Sequence, residues 1–169
     1  MYGNDVKAVG QDGSTLLHYA IGSGLEGVYK RWNIAVVKYL VFLGADVNAK
    51  NYSGTPLHHI FDIEFVAFFI SKGADVNAKN SCDDTPLHRS VWWKGNFETV
   101  KYLVSKGANV NAKNNLGNTP FLRAGSVEIA QFLISKGADF NTKNDSGFRL
   151  SPENKTQEMH KLILEKMSQ

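Results

Sequence analysis

Apolar residues along most of the chain fall at helical spacing, and the spacing recurs. Counted back from Gly44, Gly73, Gly107 and Gly137, the residues seven before are Val37, Val66, Val100 and Ala130. Those four before are Leu40, Phe69, Leu103 and Leu133, and those five before are Tyr39, Phe68, Tyr102 and Phe132. Residues three and four apart share a helix face, so the pattern predicts four amphipathic helices, each burying one stripe built from these positions. Each helix would stop at its glycine, which accepts the left-handed conformation that follows a helix end. Lys72, Lys106 and Lys136 precede three of these glycines, where a cation meets the negative end of the helix dipole.

Two phrases repeat around this pattern. Gly44-Ala45-Asp46-Val47-Asn48-Ala49-Lys50 recurs at 73–79, 107–113 and 137–143, with Asn109 for Asp and Phe140 for Val. Thr-Pro-Leu-His stands at Thr55–His58 and Thr85–His88, with Thr-Pro-Phe-Leu at Thr119–Leu122 and Thr15-Leu16-Leu17-His18 as a weaker copy. Thr suits a helix N-cap, where its hydroxyl meets free backbone N–H groups, and Pro suits the first helical position, where no N–H is needed. The threonines are 40, 30 and 34 residues apart. A repeat of this length is one stacked unit, and no unit can bury its stripe without a neighbour.

These two phrases, in register over four copies, resemble the ankyrin repeat, a unit of about 33 residues with a β-turn and two helices. The resemblance covers nearly the whole chain. It implies an all-α solenoid with β-hairpin or turn loops between helix pairs. The expected organisation is one ankyrin-repeat domain over 1–169, with units near 1–44, 45–73, 74–107, 108–137 and 138–169. The departures from a regular unit carry expectations of their own. Thr to Gly spans 29, 18, 22 and 18 residues in units one to four, against about 21 in a standard unit. Unit one therefore carries an insertion at Gly22–Asn33. Units two and four should have short first helices, single turns ending near Phe61 and Gly125. The first unit opens on a hairpin, Gly3 to Ala8, and whether the native chain continues upstream stays open. The fifth opening has decayed to Arg149-Leu150-Ser151, before a second helix at Glu158 to Met167 whose Lys161, Glu165 and Lys166 would form a polar cap.

Composition narrows the class. At 43% apolar and 21% charged the chain is not a disordered one. The longest apolar run, Phe65 to Ile70, is far shorter than the roughly 18–20 residues of a membrane span. A linear stack should bury less of its surface than the roughly 70% of a compact chain this long. The start lacks a basic and an apolar region, so no signal peptide is visible. A single cysteine, Cys82, suits a reducing compartment. The expected location is the cytoplasm, or a host cytosol if the chain is a secreted effector. Asn-x-Ser/Thr sites at Asn51, Asn144 and Asn154 then have no meaning as glycosylation acceptors.

No catalytic constellation emerges. His18, His58 and His88 occupy one repeat slot, about 10 Å apart if they sit on successive packed helices, which is too far for a shared metal with contacts near 2 Å. The resemblance implies that each hydrogen-bonds the backbone of the next unit. His59 and His160 stand alone. Cys82 has no base to activate it, since His88 is already claimed. No glycine-rich phosphate loop is present. No enzyme activity, cofactor, metal or small-molecule substrate is expected. Asn48, Asn77, Asn111 and Asn141 stand where the family has a buried hairpin asparagine, and the resemblance makes them potential substrates of an asparaginyl hydroxylase. Lys50, Lys79, Lys113 and Lys143 form a ladder at the hairpins, but Asp46, Asp75 and Asp139 offset it, and a net charge of +3 does not demand nucleic acid.

The function the resemblance implies is protein binding through hairpin tips and first helices on a concave face. Non-consensus aromatic and Arg residues there are the candidates, because these types dominate hot spots. Trp92 and Trp93, followed by Lys94, occupy first-helix slots that are small and polar in standard units. Either they contact a partner or they fill the gap beside the shortened first helices. Tyr52, Ser81 and Asp84 at turns, Arg89 and Arg123 on first helices, and Phe148 and Arg149 in the decayed turn are further candidates. Tyr29, Arg31 and Trp32 in the insertion form a second aromatic and basic cluster, with the alternative that Trp32 seals the exposed first unit. The expectation is a monomeric, non-enzymatic interaction protein acting as inhibitor, adaptor or effector. The alternatives are a targeting fragment of a larger enzyme or effector, and weak binding of nucleic acid or an acidic partner through the lysine ladder. No membrane contact is expected.

Overall fold

A computed structural model describes residues 6–22, 34–92, 96–147 and 165. Four of its helices are the ones the apolar spacing predicts: α2 (Ile34–Phe42), α3 (Ile63–Ser71), α5 (Phe97–Ser105) and α6 (Val127–Ser135). Shorter first helices precede two of them, α1 (Leu16–Ala20) and α4 (Pro86–Ser90). In units two and four the first helix is a single 3-10 turn, Pro56–His58 and Phe121–Arg123, as the short Thr-to-Gly spacing requires. No strand forms among the described residues, only isolated bridges at Val9–Thr15 and Asn51–Gly54. The predicted helix at Glu158 to Met167 lies outside the described residues apart from Glu165, which is helical and exposed.

Each second helix ends the same way. Gly73 has φ 88° and its N–H donates to Ile70, while Ala74 N–H donates to Phe69 across the turn. This double closure recurs at Gly44, Gly107 and Gly137. It satisfies carbonyls that the helix end would leave free, and its left-handed residue is a glycine because a Cβ there is strained. The alanine that follows is buried in all four copies. The next residue then caps a tight turn: Asp46, Asp75, Asn109 and Asp139 each accept the backbone N–H two residues on, at 2.8–2.9 Å. Asn109 replaces Asp at no cost because either side chain offers the acceptor oxygen.

The buried stripe differs from the predicted one at one position. Val37, Val66, Val100 and Ala130 are buried, as are Phe69, Leu103 and Leu133, with Leu40 half-buried. The aromatic position is not in the core: Phe68, Tyr102 and Phe132 are half-buried and Tyr39 is exposed. It lies about 100° around the helix from the neighbouring core position, and the residues eight before the glycine, Phe65, Thr99 and Ile129, take its place inside. The outward rings instead carry lysines one turn on, with Lys72, Lys106 and Lys136 Nζ at 5.9, 5.2 and 5.7 Å from the centroids of Phe68, Tyr102 and Phe132. Second helices pack in sequence, α3 on α5 and α5 on α6, and α4 packs on the first 3-10 turn.

Candidate functional site

Repeated polar brackets hold the units together. In the first three copies the Thr backbone N–H donates to Nδ1 of the histidine three residues on, at 3.1–3.2 Å. That leaves Nδ1 as acceptor and the proton on Nε2. His18, His58 and His88 Nε2 then donate to the carbonyls of Gly54, Asp84 and Asn118 in the following unit, at 3.2, 2.9 and 2.9 Å. Burial pushes the pKa of all three below the ordinary histidine value, so they bridge as neutral rings. The threonine thus acts largely through the ring, its hydroxyl lying 2.9–3.0 Å from Nδ1. Where Leu122 replaces histidine, Thr119 Oγ1 takes the helix N–H of Leu122 directly at 3.4 Å.

A second bracket uses the hairpin asparagines. Asn48, Asn77 and Asn111 donate to the carbonyls of Gly73, Gly107 and Gly137 at 2.8–2.9 Å. Each side-chain oxygen also accepts the N–H of Asp75, Asn109 or Asp139. These asparagines are not buried, contrary to the sequence expectation: Asn48 is half-buried and Asn77, Asn111 and Asn141 are exposed. Both amide atoms of the first three are engaged across the junction, which fixes the side chain without enclosing it.

One polar arrangement is singular. Asp84 fills the position before Thr85 where other units have Ser14, Gly54 and Asn118. It is 5% exposed, and its carboxylate accepts from Asn114 Nδ2 at 2.8 Å and from Arg123 Nη1 at 2.7 Å to both oxygens. Burial opposes the charge, but hydrogen bonds from Asn114 and Arg123 and the Arg123 charge outweigh it and hold the pKa below the usual carboxylate value. Arg123 in turn lies with its guanidinium carbon 5.4 Å from the centroid of the Trp92 ring. Trp92 itself is 53% exposed. Asp84, offered from the sequence as a surface contact, is an internal strut with its carboxylate occupied. Of the other candidates, Arg89 is half-buried, and Tyr52 and Ser81 are exposed.

Hydrogen bonds tie the turn tips into a row. Tyr52 N–H reaches the carbonyl of Asp12, Ser81 Oγ donates to the carbonyl of Tyr52, Asn115 N–H to that of Cys82, and Asp145 N–H to that of Leu116. Counted from each threonine, Tyr52, Cys82 and Leu116 share one slot, and all three are exposed. A family model described as ankyrin repeats, in three copies, matches residues 28–114 and 60–144. The chain belongs to the ankyrin-repeat family. No curated protein matches it. Ankyrin repeats generally mediate protein–protein interaction and are typically non-catalytic.

Leu116 and Cys82 were not among the sequence candidates, although aligning the turns on their threonines places them beside Tyr52. Asn114 was missed because its role depends on Asp84, thirty residues earlier. Trp93, Lys94, Tyr29, Arg31, Trp32, Phe148 and Arg149 lie outside the described residues. Among the described residues no group of three or more His, Cys, Asp or Glu could hold a metal, and no helix is long and apolar enough to cross a membrane. The hairpin lysines Lys50, Lys79, Lys113 and Lys143 are exposed, with Lys79 paired to Asp83 at 3.0 Å.

Proposed function

We propose that this ankyrin-repeat chain grips another protein through one continuous surface formed by Trp92, Arg123, Arg89 and the tip row Tyr52, Cys82 and Leu116. The observation that carries this reading is an exposed indole beside an arginine, 5.4 Å from its guanidinium carbon, that a buried carboxylate holds in place. Trp and Arg dominate protein interfaces, and fixing them before contact removes much of the ordering cost of binding. In the family's geometry this side is the concave one. Trp93, Lys94, Phe148 and Arg149 remain candidate contacts by their place in the sequence. The chain acts by occlusion, as an inhibitor, adaptor or effector, and as a monomer. A reducing cytoplasm suits its exposed free thiol at Cys82.

The test is affinity capture from cell extract with the wild-type chain, Trp92→Ala and Arg123→Ala, followed by mass spectrometry. A protein retained by wild type and lost with both variants, while their circular dichroism is unchanged, fits the proposal. Equal retention by all three chains refutes it.

A further inference from the structure

The first unit has an apolar face that its neighbours lack. Just before the closing glycine, α3, α5 and α6 carry Lys72, Lys106 and Lys136, whereas α2 is followed by Leu43. One residue earlier they carry Ser71, Ser105 and Ser135, each hydroxyl donating to the carbonyl three residues back at 2.7 Å, whereas α2 has Phe42. Nine before the glycine they carry Glu64, Glu98 and Glu128, whereas α2 has Ala35. Three polar slots have thus become apolar together in one helix. Val36, Tyr39, Phe42 and Leu43 form one stripe along it and are 45, 60, 83 and 45% exposed. The counterparts of Val36, namely Phe65, Thr99 and Ile129, are all buried. Of the twelve exposed large apolar residues among the described residues, seven belong to the first unit. A patch of this kind on a soluble surface marks a contact.

The connection leading into this helix is also unlike the others. Residues 59–62, 91–96 and 124–126 join the helices of units two, three and four, whereas residues 21–33 join α1 to α2. Within it Leu25, Val28, Tyr29 and Trp32 stand at i, i+3, i+4 and i+7, with Glu26, Lys30 and Arg31 between them. On a helix, that spacing would collect four large apolar side chains on one side and the charges on the other.

We infer that residues 23–33 are the occupant of this face, laying Leu25, Val28, Tyr29 and Trp32 on Val36, Tyr39, Phe42 and Leu43. Asn33 is bonded directly to Ile34, so the segment starts at the patch. Even wound as the helix this spacing requires, its 11 residues span about 16.5 Å, against about 13.5 Å for the nine-residue α2. A short tether presents its segment at an effective concentration of roughly millimolar, which a second copy of the chain must exceed in bulk to compete. In that arrangement Glu26, Lys30 and Arg31 face water. Tyr29 and Trp32 serve the chain itself, and Arg31 stays on the surface.

The experiment uses the full chain with Trp92→Phe and Trp93→Phe, so that Trp32 is its only tryptophan. Its fluorescence is compared folded and in urea, with acrylamide quenching and light scattering on the same samples. The expected result is a monomer whose Trp32 emission lies to the blue of the unfolded chain and resists quenching. Adding Phe42→Ser and Leu43→Lys, the residues the other helices carry there, shifts emission to the red and restores quenching while the circular dichroism stays helical. Trp32 equally quenchable in folded and unfolded chain overturns the inference. So does a dimer that the two α2 substitutions dissociate, which makes a second copy the occupant. If the α2 variant fails to fold, the single-tryptophan chain alone decides by the same two readouts.

Discussion

His88 and Asp84 are both buried polar residues of the third unit, and both bond into the fourth, yet they differ in kind. The His88 bracket is one of three, built from the same atoms at nearly the same distances. The Asp84 bracket occurs once among the described residues, and it ends on a side chain, Arg123, that carries an exposed indole. What recurs holds the stack together whatever it binds. What occurs once positions a surface group, and specificity for one partner can reside only in features that differ between units.

The comparison breaks most visibly if the recurring bracket is removed. His58→Ala strands the Thr55 N–H inside the protein, takes one of the two donors from the Asp84 carbonyl, which keeps the Asn80 N–H, and leaves a void, and a loss of about 3 kcal/mol in urea unfolding is expected. A change below about 0.5 kcal/mol would show that the ladder is not what couples units two and three. Asp84→Ala should cost about 2 kcal/mol, less than the full value for a buried ion pair because Arg123 is partly exposed. It should also weaken partner binding, whereas His58→Ala, scaled for the folded fraction, should not. A shared effect on binding would erase the distinction between the two brackets.

Acid sharpens the same contrast. His18, His58, His88 and His59 all have folded-state values below the ordinary histidine value, with His59 pushed down to about 4 by burial first and then by the charges of His58, His18 and Arg89. The unfolded chain therefore takes up protons first. Stability should be level above about pH 6.5 and fall as pH drops from there toward 4, where His59 titrates in the folded state. Its Nε2 is buried and makes no hydrogen bond among the described residues, so no partner opposes that loss. Asp84 behaves at lower pH. Its folded value is depressed, so its contribution is intact above the ordinary carboxylate value of about 3.9 and disappears only as pH falls through the folded value. Urea midpoints across pH 4–7 for wild type and His59→Gln check the histidine part. The variant should flatten the slope, and an unchanged slope assigns the acid sensitivity to other groups. The smallest effect belongs to Lys79→Ala, whose ion pair with Asp83 is half-exposed and should be worth no more than about 0.5 kcal/mol by thermal unfolding.

Most of the fold was legible because it repeats. Glycines at helix ends, asparagine-type turns and the threonine–histidine slot are local chemistry, and four copies in register separate them from coincidence. The shortened first helices of units two and four followed from spacing alone. The aromatic row was misplaced because a residue one step from a core position looks apolar in sequence but sits at the edge of the stripe. The hairpin asparagines satisfy their amides across the junction while still facing water, which a family-level expectation of burial does not capture. Asp84 was misjudged for a further reason. An acidic residue in a turn is ordinarily solvated, and here Asn114 and Arg123, from thirty and thirty-nine residues later, hold its carboxylate inside.

The account stands on Trp92 being a binding residue and not a packing one. The most direct measurement pairs calorimetric titration of the captured partner with thermal unfolding, for wild type and Trp92→Ala. The account predicts at least a roughly 30-fold loss of affinity, as for a central interface anchor, with unfolding stability changed by less than about 1 kcal/mol. Undiminished affinity, or a loss of binding that merely follows a loss of folding, would contradict it.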